Sequence, residues 1–318
     1  MSLVSAIILN WNGKQLLADC LDTLQRQTRP ADEILVVDNG SVDGSQEMVR
    51  ERYPDVTLIG LDKNKGFSVA NNIGIRRARG DYIAVLNNDL LLDPGWIEHM
   101  AAALDADPSL GSCACKMLFY DRRNVINTAG DNFLTTGVAT NRGMGQPDGE
   151  TFQVPAQVFG ACAGAVMYRA TMLHDIGLFD EDLFVYFEDV DLSFRAQLAG
   201  YNCLYVPMAV AYHHHSVTYR SAKGFSRKDY VVVRNPLLVL VKDLPTPLLF
   251  RYLPFLVIGQ LPFAFQMGMK GYVRAYTRAR LDALRLVPRM LRKRRDIQRR
   301  ARRRPEEIAA RLTHELPS

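Results

Sequence analysis

Residues 64–89 read NKGFSVANNIGIRRARGDYIAVLNND, a helical pattern followed directly by an apolar strand. The periodicity predicts a helix over 67–79 and a strand over 82–89. Three more strand-like runs precede this stretch and alternate with helical segments. These runs are VSAIIL (4–9), ILVVD (34–38) and VTLIGL (56–61). Repeated βα units of this kind predict an α/β fold with a mostly parallel, Rossmann-like sheet and helices on both faces.

Polar residues follow three of these strands at the point where each strand ends. Ligands of open parallel sheets bind outside the carboxyl ends of the strands, so these residues should border one crevice. The chain lacks both G-x-G-x-x-G after the first strand and G-x-x-x-x-G-K-[ST], which argues against a dinucleotide fold and a P-loop ATPase. A bound phosphate would then need a divalent metal held by carboxylate, with Asp89 as the natural ligand. The polar clusters are Asn10-Trp11-Asn12, Asp38-Asn39-Gly40-Ser41 and Asn87-Asn88-Asp89.

The composition is that of a globular protein. The chain has 318 residues, of which 48% are hydrophobic and 23% charged, so it can bury a large core. This composition excludes a disordered polymer, a collagen-like fibre and a disulfide-stapled miniprotein. The five cysteines are odd in number and scattered, which indicates reduced thiols, and no secretory signal is expected before the first strand.

The charge distribution separates an acidic body from a basic tail. Residues 270–318 carry a net charge of +11, and the rest of the chain carries −6. An uncharged segment precedes the basic part, over 252–269, but Pro254 and Pro262 interrupt it. We predict two domains, an α/β domain over 1–240 and an apolar and basic helical tail over 241–318.

The tail favours attachment to an anionic membrane surface. Clustered arginine attracts phosphate of any kind, so nucleic acid is an alternative partner. Interfacial helices, however, combine aromatic and basic residues as this tail does. We therefore expect a peripheral or monotopic membrane protein and no nucleic-acid partner. Whether residues 252–269 insert into the membrane or lie on it stays open.

Several motifs in a shared order resemble the family 2 glycosyltransferases of GT-A fold. They are NWNG (10–13), VVDNGSVDGS (36–45), residues 64–89 and GACAGAVMYRATMLHDIGLFDEDLFVYFEDVDLSFRAQLAGY (160–201). The L-N-N-D sequence is similar to that of bacterial rhamnosyltransferase-like members, and the resemblance covers about residues 3–240. It implies inverting, metal-dependent and non-processive sugar transfer from a dTDP- or UDP-sugar to a hydroxyl group. It also implies a glycan or polyprenyl-linked acceptor, in cell-envelope polysaccharide synthesis at the cytoplasmic face of the plasma membrane.

The resemblance also assigns residues to the donor site. Asp38 matches the acid that contacts the donor's base or ribose, although a turn-forming Asp before Asn-Gly is an alternative. Asn64, Gly66 and Asn71 match a donor-lining segment. Four asparagines at the strand ends are expected to border the same donor crevice. These are Asn10, Asn12, Asn87 and Asn88.

A metal site follows from the same comparison. Asn87 and Asp89 match the outer positions of the D-x-D motif, and asparagine at the first position suggests a weaker or more indirect metal contact there. Asp89 is the preferred ligand, and His213 matches a histidine that completes the metal shell. An oxygen-rich shell of this kind suits Mg²⁺ or Mn²⁺.

The segment FVYFEDVDLSFR (184–195) offers three acids for the catalytic base. The resemblance points to Asp189 as the base and to Glu188 as an acceptor contact, whereas Asp191 would cap or orient the helix. Ordinary acids in the first turn of a helix are the alternative, because they suit the helix dipole. Adjacent residues are not expected to point together into one crevice.

Two other classes of protein stay open at this point. A sugar-phosphate nucleotidyltransferase could share an α/β nucleotide crevice, but NWNGK is a poor match for its phosphate loop. A non-catalytic nucleic-acid or membrane-binding module would explain the tail and leave the carboxylates without a role. The donor sugar, the acceptor and the linkage are not determined by the sequence.

Overall fold

The computed structural model describes residues 2–214 and 225–314, and its centre is a sheet of ten strands. Eight of the strands lie side by side in the order β10-β12-β6-β11-β4-β1-β2-β3, while β5 pairs with β12 and β7 with β6. The strands are β1 (Val4–Asn10), β2 (Glu33–Asp38), β3 (Thr57–Gly60), β4 (Tyr82–Asn87), β5 (Leu90–Leu92), β6 (Leu110–Phe119), β7 (Ile126–Thr128), β8 (Asp131–Phe133), β9 (Ala139–Asn141), β10 (Ala156–Val158), β11 (Ala165–Arg169) and β12 (Asn202–His213). A separate two-stranded ribbon consists of β8 and β9.

The predicted parallel arrangement is confirmed for β3, β2, β1 and β4, which pair in register along the sheet. Beyond β4 the sheet is mixed, because β11 runs antiparallel to both β4 and β6. The strand predicted over 82–89 ends at Asn87, since Asn88 and Asp89 form a turn. This turn lies at the carboxyl edge of the parallel strands.

Helices cover both faces of the sheet. Successive side chains of a strand point to opposite faces, so Ala6 and Ile8 lie in one core with α1, α2 and α4, while Ile7 lies in another with α3 and α5. The helices are α1 (Lys14–Gln25), α2 (Ser45–Arg52), α3 (Phe67–Arg77), α4 (Trp96–Ala106), α5 (Ala170–Ile176), α6 (Glu188–Leu198), α7 (Arg227–Asp243), α8 (Thr246–Met269), α9 (Val273–Arg299) and α10 (Pro305–Ala309).

A third core joins the C-terminal helices to the sheet domain through α6. Leu192 of α6 packs toward the sheet, and Phe194 packs with Leu238 of α7 and Ile308 of α10. The boundary proposed after residue 240 falls inside α7. The C-terminal helices therefore help to hold the helix that carries Glu188 and Asp189.

The apolar stretch over 252–269 belongs to one helix, α8, although it contains Pro254 and Pro262. Both prolines are exposed. Proline has no backbone N–H, so each removes one hydrogen bond of the helix on its exposed side. By length and composition, α8 could cross a membrane. The amphipathic helix that follows, α9, carries the basic residues and packs mainly against α7.

Candidate active site

A crevice of about 430 Å³ opens at the carboxyl ends of β1 and β4, beside the first turn of α6. Eight of the residues assigned from the sequence border it, and four do not. The eight are Asn64, Gly66, Asn87, Asn88, Asp89, Glu188, Asp189 and His213. The four outside its lining are Asn10, Asn12, Asp38 and Asn71.

Asn10 and Asp38 organise the loops behind the crevice. Asn10 Nδ2 donates to Asp38 Oδ2 at 2.8 Å, and Asn10 Oδ1 accepts from Asn88 Nδ2 at 2.6 Å. The other oxygen of Asp38 accepts from the Ser41 amide and from Gln46 Nε2, both at 2.9 Å. Asp38 is completely buried, and its contact with a donor stays a prediction.

Asn12 and Asn71 also serve local structure. Asn12 adopts a positive φ of 50°, and its side chain accepts from the Val42 amide at 2.8 Å. Asn71 is buried in α3, where its Nδ2 donates to the Phe67 carbonyl at 3.1 Å. Their donor contacts stay predictions.

The donor-side wall depends on Gly66. Its φ is +88°, and a Cβ atom there would lie 2.4 Å from Cδ2 of Phe184, so no side chain fits. Asn64 Oδ1 accepts from the Gly66 amide at 2.9 Å and closes the turn before α3. The Phe184 carbonyl accepts from the Phe67 amide at 2.7 Å, which ties this wall to the segment before α6.

The segment before α6 has an unusual backbone, held in place by α7. Phe184, Tyr186 and Phe187 all have φ near +70°, in the left-handed region that residues other than glycine rarely adopt. Asn235 of α7 is completely buried, and its Nδ2 donates to three carbonyls of residues 183–186. These bonds offset the backbone strain and position the start of α6 at the crevice.

Asp89 and His213 form a candidate metal site. Asp89 Oδ1 is buried without a hydrogen-bond partner in the part of the chain that the structure describes, and it lies 3.4 Å from His213 Nε2. His213 Nδ1 lies 2.9 Å from Asn127 Oδ1, a contact that orients the imidazole with Nε2 toward Asp89. Two neighbouring ligands of an octahedral ion lie about 3 Å apart, so the pair fits Mg²⁺ or Mn²⁺. Among residues 2–214 and 225–314 no group of three His, Cys, Asp or Glu side chains is placed to hold a metal ion.

Three carboxyl groups besides Asp89 border the crevice: Asp131, Glu188 and Asp189. Burial raises the pKa of Glu188 well above its usual range, and the charge of Asp189 raises it further. Burial and the charge of Asp189 likewise raise the pKa of Asp131. Burial also raises the pKa of half-buried Asp189, opposed by backbone amides of Ala163 and Val190 that donate to it. A raised pKa suits a base that must take up a proton near neutral pH.

The expectation that adjacent acids point apart is wrong for Glu188 and Asp189, since both border the crevice. The left-handed backbone at Phe187 starts α6 abruptly and presents its first turn to the cavity. Asp191, in contrast, is completely buried and faces away, pairing with Arg195 at 2.7 Å and with Lys242. It anchors α6, in keeping with the orienting role predicted for it.

The structure adds crevice residues that the sequence did not single out. Asn127 and Asp131 belong to β7 and β8, within a stretch rich in Gly, Asn and Thr that reads as loops. Lys228 lies at the first turn of α7 and borders the cavity from outside the predicted motifs. These residues are recognised as part of the site only because the fold brings their segments back to the edge of the sheet.

The comparisons with known proteins concern the family and the fold. Residues 5–177, more than half of the chain, match the model of the family described as Glycosyl transferase family 2. The O-antigen biosynthesis protein RfbC of Myxococcus xanthus is 28% identical over 240 residues, which are 71% of this chain and 18% of that protein. The chain thus spans less than a fifth of that relative.

A second relative is closer in length. The N-acetylglucosaminyl-diphospho-decaprenol L-rhamnosyltransferase of Mycobacterium tuberculosis is 28% identical over 217 residues, covering 61% of this chain and 70% of that enzyme. Among solved structures, GalNAc-T7 with UDP, GalNAc and Mn²⁺ superposes with a TM-score of 0.66 at 14% identity, over 82% of this chain and 50% of that one. This likeness confirms the GT-A fold. The chain belongs to glycosyl transferase family 2.

Proposed function

We propose that the chain transfers a sugar from a nucleotide-diphosphate sugar to a hydroxyl group with inversion. dTDP-rhamnose is one candidate donor. One observation carries the proposal: a candidate metal-ligand pair and a set of carboxyl groups border the same crevice. Asp89 and His213 lie at the ends of β4 and β12, and Glu188 and Asp189 lie at the start of α6. The two chemical needs of the transfer, leaving-group stabilisation and proton removal, would then be met by residues of separate elements.

The donor would lie along Gly66 and the turn formed by Asn87, Asn88 and Asp89. Asn64, Asn87 and Asn88 border this part of the crevice. Asp89 and His213 would hold a divalent ion, which supplies charge neutralisation for the departing diphosphate when bound. The relevant likeness is that GalNAc-T7 was solved with Mn²⁺ and UDP.

Asp189 would act as the base. The acceptor oxygen attacks the anomeric carbon as the bond from that carbon to the diphosphate oxygen breaks, and the hydroxyl proton moves to a carboxylate oxygen of Asp189. A single displacement of this kind inverts the anomeric configuration. Glu188, buried with Oε2 unpartnered among the described residues, would accept a hydrogen bond from the acceptor or donate one to it.

The name of one relative supports a proposal for the acceptor. The mycobacterial rhamnosyltransferase is named for a diphospho-decaprenol acceptor, so we propose a polyprenyl-linked or other glycan acceptor in cell-envelope synthesis. We place the reaction at the cytoplasmic face of the plasma membrane, as a peripheral activity. The five cysteines are unpaired, and Cys20, Cys113, Cys115 and Cys203 are buried, in keeping with a reducing compartment.

The test is nucleotide-diphosphate release from a panel of dTDP-, UDP- and GDP-sugars, with Mn²⁺, with Mg²⁺ and with chelator. The proposal predicts release that depends on an acceptor and on the metal, with a product of inverted configuration by NMR. Pyrophosphate exchange would instead indicate a nucleotidyltransferase. A retained configuration would contradict the single displacement.

A further inference from the structure

We infer that α8 lies in the plane of a membrane surface with its exposed apolar side in the lipid, and that arginines of α9 contact anionic headgroups beside it. The inference rests on the peripheral location proposed above. It answers the question that the sequence left open, whether this helix crosses the bilayer or lies on it.

The first observation is the exposed apolar side of α8. Phe250 is 72% exposed, Phe265 71% and Met269 74%. A continuous apolar surface of this size on a globular protein marks a contact with a partner or a membrane. The large apolar side chains exposed on this helix are Phe250, Leu253, Phe255, Val257, Ile258, Leu261, Phe265 and Met269.

The second observation is that the opposite side of α8 is held against the body. A buried stripe runs from Leu248 near the start of the helix to Met267 near its end. Gly259 packs so closely on the Thr136 backbone that a Cβ atom there would lie 2.3 Å from its carbonyl oxygen. Leu256 packs in the same way against Gly137.

These contacts exclude a spanning orientation. A helix of 24 residues is about 36 Å long, enough to cross a hydrocarbon core of about 30 Å. Crossing would carry the residues packed against it, including Thr136 and the β8–β9 ribbon, into the hydrocarbon. Backbone polar groups of such irregular segments cannot be satisfied in lipid. An in-plane helix meets both requirements, since one side contacts lipid and the other the body.

The third observation is the charge of the adjacent helix. Arg280 of α9 donates to Gln260 of α8, so the two helices lie side by side. Lys293 and Arg289 pair with Asp182 at 2.7 and 2.8 Å. Four other exposed arginines of α9 form no ion pair within 4 Å of an acidic side chain among the described residues. These are Arg274, Arg278, Arg292 and Arg295.

The unpaired arginines identify the occupant as anionic lipid. α9 also carries exposed apolar residues near these arginines in the sequence. They are Val273, Leu281, Leu284 and Leu291. Interfacial helices have this composition, with an apolar side in the acyl boundary and arginine at the headgroups. Two copies of the chain meeting at this surface would bring like charges together, whereas an anionic bilayer neutralises them.

Vesicle flotation of the full chain tests the inference. Vesicles of phosphatidylcholine alone are compared with vesicles of phosphatidylcholine and phosphatidylglycerol in equal parts. We expect Phe250→Asp with Phe265→Asp to abolish binding, while the control Met208→Asp, at a 64% exposed apolar residue of β12, binds normally. Changing Arg274, Arg278 and Arg292 to Gln should weaken binding to the anionic vesicles roughly five-fold per arginine. Unchanged binding of the double Asp variant would overturn the inference. It would also be overturned if the original chain did not bind vesicles and formed a dimer that the double Asp variant converts to a monomer.

Labelling decides the orientation. Arg251→Cys and Lys270→Cys place thiols near the two ends of α8, and the unsubstituted chain gives the background of Cys162. With protein added outside sealed anionic vesicles, an impermeant maleimide should label each position to the same extent before and after the vesicles are opened with a pore-forming peptide. An end that becomes reactive only after opening lies in the lumen and would overturn the in-plane orientation. Nucleotide release in detergent solution is expected to be the same for the Phe250 and Phe265 variants as for the original chain, so failure of the membrane inference is distinguishable from failure of the transferase.

Discussion

Asp89 Oδ1 lies 3.4 Å from His213 Nε2 and is buried without a hydrogen-bond partner among the described residues. A buried carboxylate oxygen without a donor is costly, so this arrangement suits a cation between the two groups. Asn127 holds the other ring nitrogen of His213 at 2.9 Å. Asn127 is therefore the kind of hydrogen-bond partner that usually orients a histidine ligand of a metal ion.

Asn127→Ala should weaken the metal dependence of donor binding. Loss of the hydrogen bond to His213 Nδ1 frees the imidazole to rotate, and changes of this kind typically cost about 10–100-fold in metal affinity. Calorimetric titration of Mn²⁺ in the presence of the donor nucleotide measures the effect. Asn124→Ala, an exposed neighbour, is the control. If Asn127→Ala and Asp89→Ala both bind Mn²⁺ as the original chain does, the metal site is elsewhere.

Asp131→Asn should stabilise the fold at pH 7 relative to pH 4. Burial raises the pKa of Asp131, so between its unfolded value of about 3.9 and its folded value the unfolded state ionises while the folded state stays protonated. The original chain loses stability over that range as the pH rises, and asparagine removes the loss. Urea unfolding at both pH values measures it, with the exposed Asp121→Asn as control. If the free energies of unfolding of Asp131→Asn and the original chain differ by the same amount at both pH values, the pKa of Asp131 is not raised in the folded state.

Lys242→Met should destabilise the fold by about 3–5 kcal/mol, the usual result of removing one partner from a buried ion pair. Its ammonium lies 2.5 Å from Asp180 and also contacts Asp191, and all three side chains are buried. Urea unfolding measures the loss, with exposed Lys270→Met as control. A loss below about 1 kcal/mol would place this network among weak surface pairs.

The same network predicts the acid side of the stability profile. Burial opposes ionisation of Asp180, but Lys242 and Lys293 outweigh it and lower its pKa. The ion pairs therefore contribute fully above the unfolded pKa of about 3.9 and are lost as the pH falls through the folded value.

Gly66→Ala should lower both stability and donor affinity. The new Cβ meets the Phe184 ring at 2.4 Å in addition to the strain of a positive φ. Gly271→Ala is the matched control, because its φ is +75° and no atom lies within 4 Å of the added carbon. We expect the control to lose about 1 kcal/mol from backbone strain alone, with donor binding unchanged, and Gly66→Ala to lose more. Equal losses and equal donor affinity would contradict the role assigned to the Gly66–Phe184 contact.

The sequence predicted the half of the fold in which local pattern and global structure agree. The βα repeats place Asn10, Asn88 and Asp89 at one sheet edge, because parallel strands end on the same side. Periodicity does not reveal the antiparallel insertion of β11 or the return of β7 and β8 to the crevice. Asn127 and Asp131 therefore emerge only from the three-dimensional pairing.

Long-range packing also limited the interpretation of the tail. Its basic residues suggest a solvated helix, yet Lys293 pairs with Asp180 and Asp182, more than a hundred residues earlier. Asp38 shows the opposite limit, since its motif indicates a donor contact while its carboxylate is completely buried and held by three side-chain and backbone donors.

The role of Asp189 as the base is measured by the turnover and the donor affinity of Asp189→Asn, determined on the same preparation. We expect turnover about 10²–10⁴-fold lower, since general-base assistance is lost, with donor affinity nearly unchanged. Glu188→Gln should mainly raise the KM for the acceptor, and Asp191→Asn should lose stability through Arg195 and Lys242. Near-normal turnover of Asp189→Asn, together with its loss in a folded Glu188→Gln, would contradict the assignment of the base.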